Sequence, residues 1–158
     1  PVSGEILVDK KNIDLDISIW RNKIGYVSQN IFLIDNSIKK NIALGVPEDK
    51  INDKEVIKSC KEAMIYDFVN SLEQKFDTKI GEKGIKLSGG QIQRLAIARE
   101  LYRKPEILIL DEATSGLDEK TEDEILNLLD KLRDKITVII VSHRKNTIKN
   151  CDKILNLS

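Results

Sequence analysis

Residues 107–112, Ile-Leu-Ile-Leu-Asp-Glu, constrain this chain more than any other stretch. Four aliphatic residues in a row, with no polar alternation, suit a strand of a parallel sheet covered on both faces. Two acidic residues follow at once. In open α/β sheets ligands bind beyond the carboxyl ends of the strands, which is where Asp111 and Glu112 are then expected. Val138-Ile139-Ile140-Val141 is a second run of the same kind. Between the two, Ile125, Leu128, Leu129 and Leu132 fall at i, i+3, i+4 and i+7, the spacing of one helix face. Strand, helix and strand at this length predict a right-handed βαβ unit. The fold class is therefore α/β.

The remaining elements read in the same way. Residues 5–9 and 24–27 are expected as strands, with residues 10–17 as a turn and a short edge strand. A short helix is expected over residues 37–44, capped by Asn36 or Ser37 and stopped by Gly45. Val56, Cys60, Ala63 and Met64 fall at i, i+4, i+7 and i+8, which predicts a helix beginning near Asp53. A second short helix is expected over residues 66–72. Ser88 or Gly89 opens the next helix, with Ile92, Leu95, Ala98 and Tyr102 on one face and Lys104-Pro105 as its end. One or two helical turns over residues 145–149 and a last strand over residues 154–157 complete the pattern. Residues 53–102 form a mostly helical insert.

Composition narrows the possible partners. The chain has 158 residues, enough for one domain, and 26 basic against 26 acidic residues. That balance gives no electrostatic footprint for nucleic acid. No apolar run approaches the roughly 18 residues of a membrane span, and no signal peptide is visible. Cys60 and Cys151 have neither metal nor redox spacing and read as buried free thiols.

Four places can carry chemistry. Asp111 can hold Mg²⁺, largely through water, while Glu112, one residue further out, can polarise a water for attack on a phosphate. Two acids before a helix also simply favour its N-terminus. Ser88-Gly89-Gly90-Gln91 places a hydroxyl and two unobstructed N–H groups at a helix start, where an anion is favoured; a plain serine cap is the alternative. His143, the only histidine, follows a strand end, where an imidazole can donate to phosphate. Gln29 also follows a strand, and taken alone it is a polar loop residue.

Leu87-Ser88-Gly89-Gly90-Gln91, continued by Ile-Gln-Arg-Leu-Ala-Ile-Ala-Arg, and Ile107-Leu108-Ile109-Leu110-Asp111-Glu112-Ala113-Thr114-Ser115-Gly116-Leu117-Asp118 together resemble the ATP-binding cassette family. The resemblance covers essentially the whole chain from Gly4 onward. It implies an incomplete P-loop NTPase sheet of the cassette type, mostly parallel, with a helical subdomain that carries the signature motif. It divides residues 1–158 into a β-rich part (1–29), a Q-loop and helical subdomain (30–103), and a Walker B, D-loop and H-loop part (104–158). The cofactors implied are ATP and Mg²⁺. Glu112 and His143 would be catalytic, and Asp111 and Gln29 would serve the metal. Gln29, Ser88, Gly89, Gly90, Gln91 and Asp118 would contact nucleotide, with Asp118 in the D-loop also capping the next helix.

Because the signature touches nucleotide held by the opposite protomer, the resemblance implies a head-to-tail dimer with a second cassette. It also implies a transmembrane domain as partner, docked near Ile31-Phe32-Leu33-Ile34, and a location on the cytoplasmic face of a membrane. Residues 78–84 resemble a segment of exporter cassettes implicated in signalling to that domain; a charged turn flanked by glycines is the alternative.

None of the eight glycines is followed by Lys-Ser/Thr, so the phosphate loop of the family is not in this sequence. The strand leading into that loop is expected to lie beside residues 107–110, so that its loss would free two central strand edges. The isolated chain is expected either to self-associate through strands or to rearrange locally, and to lack ATPase activity. The alternative is a non-catalytic module that pairs with an intact cassette through its signature and D-loop. A DNA-repair or chromosome-structure ATPase ranks third, since residues 30–87 carry no sustained heptads.

Overall fold

A computed structural model describes residues 3–8, 10–13, 17–81, 85–148 and 151–156. Its centre is a three-stranded, wholly parallel sheet of β3 (Ile24–Val27), β6 (Ile107–Asp111) and β7 (Thr137–Val141), in the order β3-β6-β7. Two small antiparallel ladders stand apart from it. One pairs β1 (Leu7–Val8) with β2 (Lys11–Asn12), and the other pairs β4 (Asn36–Ser37) with β5 (Lys79–Ile80). The helices are α1 (Ile17–Asn22), α2 (Ile38–Ile42), α3 (Asp53–Glu62), α4 (Tyr66–Ser71), α5 (Gly89–Tyr102), α6 (Glu119–Leu132) and α7 (Lys145–Ile148).

Local chemistry sets the helix starts. Ser37, Asn52 and Asp118 accept hydrogen bonds from the first-turn N–H groups of α2, α3 and α6. Ser88 and Gln91 close a reciprocal capping box on α5, which satisfies two donors that the helix itself leaves free. The core lies between one face of the sheet and helices α5 and α6, and continues into the helical part. Val27, Leu108 and Leu110 are buried in it in one cluster with Leu95, Ala98, Ile125, Leu128 and Leu129. Full burial of each large aliphatic side chain is worth about 1.5–3 kcal/mol.

Four expectations are corrected. The aliphatic strands are not covered on both faces: β6 buries alternate residues, β7 only half-buries them, and Tyr26, Ile139 and Val141 remain nearly half exposed. The alternation is that of a sheet with one layer of helices. Residues 107–110 have no free edge, because β6 is hydrogen-bonded to β3 on one side and β7 on the other; any further parallel strand would have to pair outside them. A helix, α1, begins at Ile17, where the edge strand was expected to end, and it has no buried residue. Residues 154–156 form no strand, and Ile154 and Leu155 are exposed.

The strand expected over residues 5–9 is confined to Leu7–Val8, and Asp9 lies outside the described residues, as do residues 82–84 of the charged turn and Lys149 and Leu157. Cys60 is free and fully buried, and burial pushes its thiol up to about 12. Cys151 is free but only half-buried. Among the described residues no helix is long and apolar enough to cross a membrane.

Candidate active site

The three parallel strands end side by side. Register pairs Val27 with Leu110, and Asp111 with Val141. Gln29, Glu112 and His143 therefore leave the same edge of the sheet from neighbouring strands, whose axes lie about 4.8 Å apart.

Glu112 is the first residue past β6, and its φ of 50° lies in the left-handed region. Such a conformation in a residue with a side chain costs on the order of 1–3 kcal/mol and persists only where its surroundings hold it. Here the N–H of Glu112 donates to the Val141 carbonyl at 2.9 Å, and its own carbonyl accepts from the Ser115 N–H at 2.9 Å. The chain thus makes one last ladder bond and then turns sharply. The carboxylate is brought towards the end of β7, where His143 Nε2 lies 3.2 Å from Glu112 Oε1. The two atoms face each other without a hydrogen bond, and Oε1 is buried with no hydrogen-bond partner. The imidazole side chain is 94% exposed.

Asp111 ends β6. Its Oδ2 accepts a 2.6 Å hydrogen bond from the Tyr26 hydroxyl on β3. That bond, with lesser help from burial and the nearby negative charge, raises the Tyr26 phenol above its usual value. Gln29 Nε2 donates to the Ser115 hydroxyl at 3.4 Å, which places its amide against the turn that Glu112 opens. Among the described residues no three His, Cys, Asp or Glu side chains cluster as a metal cage. Asp111 would share a cation with water and substrate oxygens.

The signature residues sit apart from this group. The Ser88 hydroxyl oxygen accepts from the Gln91 main-chain N–H at 3.3 Å, and Gln91 Oε1 accepts from the Ser88 main-chain N–H at 2.9 Å. A Cβ on Gly90 would come 2.5 Å from Thr121 Cγ2, and one on Gly89 would come 3.2 Å from Leu117 Cδ2. Both glycines therefore admit the start of α6, a packing demand separate from any anion. Asp118 caps α6 with both oxygens: Oδ1 accepts from the Thr121 N–H at 3.0 Å and Oδ2 from the Thr121 hydroxyl at 2.6 Å. Those bonds hold its carboxyl below its usual value.

Sequence reasoning missed two groups. Arg99 on α5 donates to the main-chain carbonyls of Asn41 (2.7 Å) and Phe32 (2.9 Å). Asn41, fully buried, donates to the Ile34 carbonyl at 3.0 Å and accepts from the Ile34 N–H at 2.9 Å. Together they hold the loop after Gln29, in which Phe32 is 71% exposed while Ile31 and Leu33 pack on the core. The second group centres on Glu122, 4% exposed. A signal for it exists, because Glu122 stands three residues before Ile125, on the apolar face of α6.

The chain belongs to the ABC transporter family, whose model matches residues 1–115. It is 44% identical over 156 residues to Multidrug resistance protein 1 of Entamoeba histolytica, covering 98% of this chain and 12% of that protein. It is 48% identical over 154 residues to the ABC multidrug transporter atrD of Emericella nidulans, covering 97% and 12%. It is equally 48% identical to a putative multidrug export ATP-binding/permease protein of Staphylococcus aureus, covering 97% and 26%. The structure of a bacterial Atm1-family ABC exporter with ATP bound superposes with a TM-score of 0.80 at 41% identity, over 95% of this chain and 26% of that one. The chain thus spans between 12% and 26% of the length of these relatives. Its fold is that of an ABC exporter nucleotide-binding domain: α/β, with a mostly parallel sheet.

Proposed function

We propose that these residues are the greater part of the ATP-hydrolysing domain of an ABC exporter. The single observation that carries the reading is the convergence of Gln29, Asp111, Glu112 and His143 on the carboxyl ends of three adjacent parallel strands. Glu112 acts as the general base that polarises the attacking water. His143 holds that carboxylate and donates towards the γ-phosphate. Asp111 and Gln29 serve Mg²⁺, which suits a lone carboxylate because it keeps most of its waters and takes further ligands from substrate phosphates. When bound, the metal offsets charge that develops on the transferred phosphoryl group. The start of α5 and Asp118 face the nucleotide of a second cassette in a head-to-tail dimer, and residues 1–29, 30–103 and 104–158 divide the work as the sequence suggests.

Under this reading a transmembrane domain docks at the exposed Phe32, and the assembly works at the cytoplasmic face of a membrane. Residues 1–158 alone hydrolyse no ATP, since no lysine-bearing phosphate loop is among them. In the full-length protein Glu112→Gln should lower ATP turnover by roughly 10²–10⁴, the scale of general-base loss, while a fluorescent ATP analogue still binds. Loss of binding in step with turnover would remove Glu112 from this role.

A second reading, resting on the start of α5 and Asp118 alone, is a non-catalytic module that docks on an intact cassette. Co-purification with such a cassette, strengthened by ATP and Mg²⁺, would support it over the first.

A further inference from the structure

Glu122 accepts hydrogen bonds from three side chains at once, one in the turn after β6 and two in the segment after β7. Thr114 Oγ1 donates to its Oε1 at 3.2 Å, Thr147 Oγ1 donates to the same oxygen at 2.7 Å, and Arg144 Nη1 pairs with Oε2. Arg144 Nη1 also reaches the Leu117 carbonyl at 3.5 Å. One buried carboxylate therefore joins the turn that follows Glu112, the residue before Asp118, and the segment that carries His143.

Stability alone is a poor account of this cluster. A buried ion pair is commonly matched or bettered by apolar residues of similar volume. The placement of its members is more telling. The His143 side chain is 94% exposed and so has little packing to hold it. Its neighbour Arg144 is fixed twice, by its N–H donating to the Ser142 hydroxyl at 3.0 Å and by its guanidinium on Glu122. On the other side, Thr114 lies two residues beyond Glu112, whose buried Oε1 has no hydrogen-bond partner and has His143 as its near neighbour.

We propose that Glu122, acting through Arg144 and Thr114, is a positioning residue that holds His143 and Glu112 in mutual register and ties that pair to the D-loop. The inference rests on the proposed role of Glu112 and His143 in ATP hydrolysis. Glu122 touches no reacting atom. It braces the segment that carries His143 against the turn after Glu112, in addition to the main-chain bonds from Glu112 to Val141 and Ser115, and so bears on the side chains of a 3.2 Å approach.

The test uses the full-length protein and compares Glu122→Gln, Arg144→Gln, the double variant and Glu112→Gln. Turnover, KM for ATP and affinity for a fluorescent ATP analogue are measured for each. Misplacing a catalytic pair by about 1 Å costs on the order of 10²-fold, so Glu122→Gln and Arg144→Gln are each expected to lose roughly 10–100-fold in kcat. KM and analogue affinity should stay within about twofold, and the double variant should be no worse than the poorer single, because both break one connection. Unchanged kcat in Glu122→Gln, equal shifts in kcat and KM, or additive losses would each overturn the proposal. Where Glu122→Gln fails to bind the analogue, Arg144→Lys, which keeps the charge and loses the fork, decides by the same kcat-against-KM criterion. Full turnover in Glu112→Gln would sink the hydrolytic reading and this inference with it. Loss of turnover there with normal turnover in the other variants would sink the inference alone.

Discussion

His143 Nε2 stands 3.2 Å from Glu112 Oε1, across the gap between the ends of β7 and β6. The two residues are thirty-one positions apart in the chain and meet because their strands are parallel neighbours in register. Glu112 reaches this position by leaving the extended conformation at once, and His143 by following the last pair of the ladder by two residues.

His143→Ala should therefore leave Glu112 folded in place and catalytically poor. The main-chain bonds that hold Glu112 come from Val141 and Ser115, not from the imidazole. Turnover of the full-length protein is expected to drop by about 10²-fold, the lower scale of acid–base loss, with the thermal midpoint nearly unchanged. A large fall in the midpoint would show that the imidazole holds structure.

Gly90→Ala is expected to destabilise by roughly 1–3 kcal/mol, the usual cost of forcing an extra methyl into a packed contact. The new Cβ would lie 2.5 Å from Thr121 Cγ2, and Thr121 cannot rotate away without releasing Asp118. Pairing Gly90→Ala with Thr121→Ser, which removes that methyl and keeps the hydroxyl, should restore most of the loss. Denaturant unfolding of the two single variants and the double gives the coupling, and strict additivity would mean that the clash relaxes elsewhere.

Two buried glutamates should give stability opposite dependences on pH. Burial acts to raise Glu122, but the Thr147 hydroxyl and then Arg144 outweigh it, and its carboxyl ends below its usual value. Its contribution is present above the unfolded value of about 4.3 and is lost as pH falls through the folded value. Burial raises Glu100, and its contacts to Tyr26 N–H and Arg103, at 3.4 and 3.5 Å, do not offset it. Stability linked to Glu100 is present at low pH and lost as pH rises through the folded value. Glu122→Gln should thus cost most near pH 7 and least near pH 3, whereas Glu100→Gln should stabilise near pH 7. Unfolding midpoints of both variants across that interval test the signs.

The face of the sheet that carries Tyr26, Ile139 and Val141 should make residues 1–158 associate when produced alone. These residues, with the outer edge of β7, which pairs with no further strand among the described residues, offer apolar surface and open strand groups together, a combination that invites pairing between chains. Light scattering is expected to give a mass above 18.0 kDa, and charged substitutions at Ile139 and Val141 should reduce it. A monodisperse monomer at high concentration would refute the expectation.

Much of the fold could be read from periodicity. The 3.6-residue spacing of Ile125 to Leu132 and the caps at Ser37, Ser88 and Asp118 are local, so α2, α5 and α6 fall where they were expected. Helix α1 was not legible. Leu15, Ile17 and Ile19 alternate with polar residues as a strand would, and the helix that begins at Ile17 buries nothing that could have betrayed it. Strand order was equally hidden, because parallel pairing depends on contacts made far apart in the chain. Strand ends were enough to expect Gln29, Asp111, Glu112 and His143 near one edge of the sheet, the edge at which β3, β6 and β7 end together. The Tyr26–Asp111 bond and the Glu122 cluster depend on register and on non-local approach, which no single stretch of sequence carries.

Arg99 and Asn41 grip the loop after Gln29 mostly by its main chain: the carbonyls of Phe32, Ile34 and Ser37 and the N–H of Ile34. The path of that loop is thus indifferent to which ring or aliphatic group stands at position 32. A change of residue there alters what is offered outward without redrawing the mount behind it, so this fold could be refitted to a new neighbour one side chain at a time.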